Sequence, residues 1–124
     1  AGTRLIATAS RMSDARRGEI WLIDLGEPVG HEQGWTRPAL VVSSDHWNKH
    51  ASTVTVLPIT RTHRGLPTRV EIEAHPSNGL DATSYARCDD SRSVSERRLV
   101  HRAGAVDHLV MLRVAATSRR FLEF

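Results

Sequence analysis

Apolar positions along this chain alternate with polar ones in short runs rather than recurring at helical spacing. Glu19-Ile20-Trp21-Leu22-Ile23-Asp24-Leu25 is dense in β-branched, aromatic and aliphatic residues and stops at Gly26, which predicts a first strand over 19–25. Further runs of strand length occupy 38–43, 53–59, 69–73 and 84–88, and 100–103 adds another. Turn chemistry separates them, with Gly65-Leu66-Pro67 before the 69–73 run and Pro76-Ser77-Asn78-Gly79 after it, while Gly26 to Trp35 is read as a long loop. Many short strands with turns at this spacing predict a compact barrel or sandwich. Past Gly104 the texture changes again. Asp107 is placed to cap a final helix in which Leu109, Leu112 and Ala116 share one face, widened by Val110 and Val114, and Arg119 and Arg120 sit where the helix dipole favours cations. The first fifteen residues mix small, polar and basic types without a period. They are expected to be a flexible leader over 1–15, in part a cloning remnant with Met12 as a candidate native start, ahead of one domain over 16–124.

The composition narrows the class without naming a function. A chain of 124 residues, 40% hydrophobic and 25% charged, can bury one small core and has no room for two. Its formal net charge of +3 permits an acidic partner without demanding one. Lys49 is the single lysine among the basic residues; arginine forks suit bidentate phosphate contacts, and an arginine bias also follows from a GC-rich genome. One cysteine, Cys88, excludes an intrachain disulfide. No apolar stretch nears the roughly 20 residues of a membrane span, and no secretory signal run is seen, so a cytoplasmic location is expected.

Candidate chemistry concentrates just before the second predicted strand. Gly30-His31-Glu32-Gln33-Gly34-Trp35-Thr36-Arg37-Pro38 brings a His, a carboxylate and an Arg together, an acid/base pair beside an anion clamp. Attack on a phosphate needs such groups, because protons move at two oxygens while charge builds between them. RNA is the natural substrate, since its 2′-hydroxyl is the nucleophile. A solvated loop of ordinary polar residues is the alternative. Arg37 precedes Pro38, which holds it extended at a strand mouth. Thr60 ends an apolar run and could donate to a phosphate oxygen, or be a plain strand threonine. Arg87 and Asp89 lie two apart, so an extended backbone points both to one face, as a salt bridge or as an active-site pair. Trp35 is the tryptophan expected to stack on unpaired bases, with Trp47 a weaker candidate and Trp21 packed inside. His46 and His50 are four apart but lack a third ligand, so a surface segment capped by Asp45 is expected there rather than a metal site.

Taken in order, Arg17-Gly18-Glu19-Ile20-Trp21, Gly30-His31-Glu32-Gln33, Arg37-Pro38-Ala39-Leu40-Val41-Val42, Pro58-Ile59-Thr60, Arg87-Cys88-Asp89 and Arg92-Ser93-Val94 with a terminal helix resemble the MazF/PemK family of toxin endoribonucleases. The resemblance implies a mainly β fold with a C-terminal helix, a barrel related to the SH3 and CcdB folds. It also implies a homodimer, an antitoxin partner with an acidic disordered tail, and cleavage of single-stranded RNA without metal or organic cofactor. By the same resemblance Arg37 and Thr60 bind and polarise the scissile phosphate, as in the MazF branch. His31, Arg87 and Asp89 match the catalytic set of the Kid/PemK branch, and Glu32 matches a further active-site carboxylate. Either Asp89, or Glu32 with His31, would be the general base and the other the general acid. RNA contacts are expected from Gln33, Trp35, Arg61, Arg64 and Asp90. Asp90 and Ser91 depart from the family pattern, so the family's known cleavage sequences do not transfer. The alternative is a CcdB-like toxin that poisons a topoisomerase and cleaves no RNA.

Overall fold

The computed structural model describes residues 14–26, 30 and 35–123. Seven strands are arranged as β1 (Glu19–Asp24), β2 (Thr36–Val41), β3 (Thr53–Thr60), β4 (Arg69–Ile72), β5 (Ser84–Arg87), β6 (Arg92–Ser95) and β7 (Leu99–Ala105). A short helix α1 (Asp45–His50) links β2 to β3, a 3-10 turn (Glu96–Arg98) leads into β7, and helix α2 (His108–Leu122) closes the described chain. Every pairing is antiparallel.

Strand β3 is the spine. It reads Thr-Val-Thr-Val-Leu-Pro-Ile-Thr and buries residues on both faces, which is why its sequence is nearly continuous in apolar residues. One edge pairs with β2; the other pairs with β6 over Thr53 to Val56 and with β5 at Ile59 and Thr60. Pro58 falls in the gap between those two ladders, where a residue without an N–H is tolerated inside a central strand.

Alternation along the strands sends alternate residues to two cores. Ile20, Leu40, Leu57 and Ile59 gather on one side with Val70, Ile72, Ala86 and Val114 of α2; Ile23, Ala39, Val41, Val54, Val56 and Val94 gather on the other. Ala15 is buried in the second core at 3% exposure, so the leader expected over 1–15 contributes a core residue at its end; positions 1–13 lie outside the described residues. Truncating a fully buried residue such as Ile20 to Ala costs about 2–5 kcal/mol in comparable cores.

Three expectations are corrected. The sheet is open among the described residues, with strand order β4-β5-β3-β2-β1-β7 and β6 beside β3, and no ladder there closes a barrel. Its two ends instead approach through a turn: Ser77 accepts from the Ala105 N–H at 2.9 Å. The backbones meet so closely that a Cβ on Gly79 would sit 2.4 Å from the Ala103 oxygen, and one on Gly104 would sit 2.4 Å from the Ser77 oxygen. Asn78 holds this turn, accepting from the His75 and Leu80 N–H groups and donating to the Glu73 carbonyl.

The second correction concerns α2. Asp107 caps it as expected, accepting from the Val110 N–H at 3.0 Å, but Leu109 and Leu112 are each 53% exposed and Ala116 is exposed too. The face on the sheet is Val110, Met111, Val114 and Thr117. Helical periodicity found an apolar stripe, and the neighbouring stripe won the core. Third, the cap of α1 is Ser44, which accepts from the Trp47 N–H; Asp45 accepts from the Arg17 N–H at 2.7 Å. Smaller shifts occur at strand ends: β2 starts at Thr36, just past a loop base where the Leu25 N–H donates to the Trp35 carbonyl and the Trp35 N–H donates to the Gly26 carbonyl. Trp21 is half-buried and donates from its indole to Glu19.

Glu19 ties β1 to β7. Burial disfavours its charge, but the Trp21 indole, the Arg16 N–H and the Arg102 guanidinium at 2.7 Å together outweigh that and hold its carboxyl below the ordinary value of 4.5. A depressed folded-state value adds stability that is complete above the unfolded value and lost as pH falls through the folded one. In urea melts against pH, the stability gap between the parent and Glu19→Gln should therefore be constant near neutrality and shrink below about pH 4.5. Gly104→Ala should lower the unfolding free energy measured in urea by about 1–3 kcal/mol of overpacking, because backbone and not a flexible side chain must give way.

Candidate active site

The turn that draws the sheet ends together roofs a cleft of about 950 Å³ lined from β1, β2, β3, β4, β5 and β7. Arg37 enters it from the start of β2, Thr60 from the end of β3, Arg61 and Arg64 from the loop that follows, Arg87 from the end of β5 and Asp89 from the next turn. Residues far apart in sequence thus meet because antiparallel strands bring their ends to one rim. Six of the expected site residues converge here.

Two residues of the wall carry an expected role into a specific geometry. Thr60 Oγ1 accepts from the Thr62 N–H at 3.1 Å, which fixes the hydroxyl and leaves its own hydrogen to donate. Arg37 is exposed and makes no ion pair among the described residues, so its guanidinium is available to an anion.

Arg69 was not singled out by its sequence context, yet it lines the cleft directly opposite Arg87 in the β4–β5 ladder. Like charges opposite one another destabilise a sheet, and both side chains are mostly buried, at 8% and 15% exposure. The two aspartates after β5 offset this. Asp89 pairs with Arg69 at 2.5 Å, and Asp90 takes Arg92 in a two-bond fork at 3.0 Å while lying 3.4 Å from Arg87. The β5 strand ends at Arg87, so the extended geometry that would pair Arg87 with Asp89 does not continue, and the turn gives each Asp a different arginine. Asp90 is thereby engaged by two guanidinium groups and is not part of the cleft wall.

The remaining expectations fall as follows. His31, Glu32 and Gln33 lie outside the described residues. Trp35 is 58% exposed in a left-handed backbone conformation at φ 61 and stands apart from the cleft wall. Trp47 is exposed on α1. His46 and His50 lie side by side at 4.6 Å with His50 Nδ1 bonded to the His46 carbonyl, and no group of three or more metal-ligating side chains occurs among the described residues. Cys88 is buried beside Asp89, and burial pushes its thiol up despite a bond from Ser118. Besides Arg69, sequence reasoning missed His101 of β7 and Asp81, which is 3.4 Å from Arg61. Only the register that opposes residue 69 to 87 could have identified Arg69.

Five arginines against two aspartates leave the cleft strongly cationic, a site for an anion larger than one phosphate. No helix among the described residues is long and apolar enough to cross a membrane.

The fold is met again in known proteins. The profile of PemK-like, MazF-like toxins of type II toxin–antitoxin systems matches residues 16–122, and the chain belongs to that family. It is 36% identical over 84 residues to the endoribonuclease PemK of Escherichia coli, a match covering 68% of this chain and 63% of that relative's length. Its fold superposes on MazF of Deinococcus radiodurans with a TM-score of 0.78 at 26% identity, covering 89% of this chain and 97% of that one. A mycobacterial endoribonuclease solved in complex with its cognate antitoxin gives 0.72 at 25% identity, covering 89% and 96%.

Removing the Asp89 carboxylate leaves Arg69 buried without its counterion. Asp89→Asn should cost about 2 kcal/mol in urea denaturation, less than the 3–5 of a fully buried pair because Asp89 retains contact with water, and Arg69→Met should restore part of it.

Proposed function

We propose that this chain is the toxin of a type II toxin–antitoxin pair and acts as an endoribonuclease on single-stranded RNA. The observation that carries the reading is the cleft itself, where Arg37, Thr60 and Arg87 converge with two further loop arginines around one anion-sized space. The family and the activity named for the Escherichia coli relative support it.

The nucleophile lies in the substrate. The 2′-hydroxyl attacks the adjacent phosphorus, the bond to the 5′ oxygen breaks, and a 2′,3′-cyclic phosphate and a 5′-hydroxyl end result. Holding the ribose and phosphate in line supplies much of the acceleration, and no metal or organic cofactor is called for by this chemistry. Arg37 and Arg87 stabilise the phosphorane charge, with the Thr60 hydroxyl donating to a third oxygen. Proton transfer by His31, Glu32 and Asp89 is carried over from the family pattern. Arg61 and Arg64 follow the RNA backbone, Gln33 and Trp35 meet bases, and Asp90 acts through the guanidinium groups it holds.

The partner is a cognate antitoxin, a pairing supported by the mycobacterial endoribonuclease solved in complex with its own, and an acidic segment of that antitoxin complements this cationic cleft in charge. Leu109 and Leu112, on one side of α2 and each 53% exposed, are apolar surface of the kind a second copy of the chain covers. The cytoplasm, where RNA is translated, is the place of action.

Incubating the pure protein with total bacterial RNA in EDTA, and sequencing new 5′-hydroxyl ends, tests the reading. Discrete cuts are expected, slowed about 100- to 1000-fold in Arg37→Ala, as for loss of an oxyanion donor. Intact RNA would move the assignment to a topoisomerase-poisoning toxin.

A further inference from the structure

An arginine that clamps a phosphate from the end of β5 has to hold its head group still beside a like charge. Arg87 is opposite Arg69 in the β4–β5 ladder, and Asp89 is taken by Arg69. Asp90 supplies a carboxylate to Arg87, its Oδ2 lying 3.4 Å from Nη1. The turn that carries Asp90 is fixed by its backbone: the Asp90 N–H donates to the Arg87 carbonyl and the Cys88 N–H to the Thr68 carbonyl, each at 3.0 Å. Those bonds leave open the rotation of the carboxylate about its last side-chain torsion, which has a broad two-fold profile.

Arg92 closes that freedom. Its Nε donates to Asp90 Oδ1 and its Nη2 to Oδ2, both at 3.0 Å, a planar fork that sets the carboxylate plane as well as its position. Arg92 is the first residue of β6 and is opposite Val56 of β3, the strand buried on both faces. Oδ2 thus accepts from Arg92 and faces Arg87 at once. The side chains of Arg87, Asp90 and Arg92 are all mostly buried, at 15%, 19% and 20% exposure, yet Arg87 lines the cleft and the other two stand behind its wall.

We infer that Arg92 is a positioning residue for the phosphate clamp: through Asp90 it holds the Arg87 guanidinium in the cleft wall without touching RNA itself. The inference rests on the ribonuclease reading above, in which Arg87 stabilises the phosphorane charge. A lysine at position 92 separates geometry from charge, because an ammonium keeps the positive charge but cannot hold both carboxylate oxygens in one plane.

The experiment is steady-state cleavage, in EDTA, of an oligoribonucleotide bearing a mapped cut site. It compares the parent, Arg92→Lys, Asp90→Asn and Arg87→Ala, and each of the first two substitutions combined with Arg87→Ala, with urea melts to establish that each variant is folded. Arg92→Lys should lower kcat about 10- to 100-fold, the scale of a small misplacement of a catalytic group, with KM within about threefold of the parent. In the Arg87→Ala background the same substitution should change kcat by less than about twofold, since the group it positions is gone. Asp90→Asn, which keeps the shape and gives up the charge, should behave alike in both backgrounds, and it decides the matter on the same criteria if Arg92→Lys does not fold. The inference is overturned if Arg92→Lys cleaves at the parent rate, if its loss falls on KM, or if the loss is as large without Arg87 as with it, which is the outcome of a merely structural role. A parent that leaves RNA intact overturns the ribonuclease reading, and an Arg87→Ala variant as fast as the parent overturns the part given to Arg87 in it; both are separate results.

Discussion

The crossing of the 75–79 turn over β7 is the constraint on which the rest depends. Two backbones touch where Gly79 and Gly104 have no Cβ, and one N–H to carbonyl bond from Ala105 to Ser77 pins them. An open sheet with ends at β4 and β7 is thereby folded on itself without a closing ladder. The unladdered side becomes a cleft, and the strand ends around it bring together side chains that the sequence keeps apart.

Filling that cleft with arginine carries an electrostatic cost that is met locally. Arg69 and Arg87 face one another across a two-strand ladder, and the tight turn after β5 delivers Asp89 to one and Asp90 toward the other. The balance is partial by design of the wall as a whole. Cations exceed anions, so a polyanion entering the cleft completes a charge set that the protein leaves short.

A sheet this small stands because β3 is buried on both faces and changes partners midway. Each face then has its own core, one under α2 and one enclosing Ala15. The functional consequence is rigidity at the rim: Thr60 and Arg87 are at the ends of paired strands rather than on free loops.

Much of the fold was legible in the residues, since runs of alternating apolar residues, turn dipeptides and the Asp107 cap are local signals read over a few positions. The strands, the terminal helix and the convergence of Arg37, Thr60 and Arg87 followed from them and from the ordered family motifs. The sequence could not decide which stripe of α2 meets the sheet, because Leu109–Leu112 and Val110–Val114 are both apolar and only the shape of the sheet discriminates between them. Nor could it pair Arg69 with Asp89 or bring His101 to the same cleft as Arg37. Those relations are set by strand register and by a backbone crossing between residues more than 20 positions apart in sequence, Gly79 with Ala103 and Gly104 with Ser77, and a contact of that kind has no signature until the chain is folded.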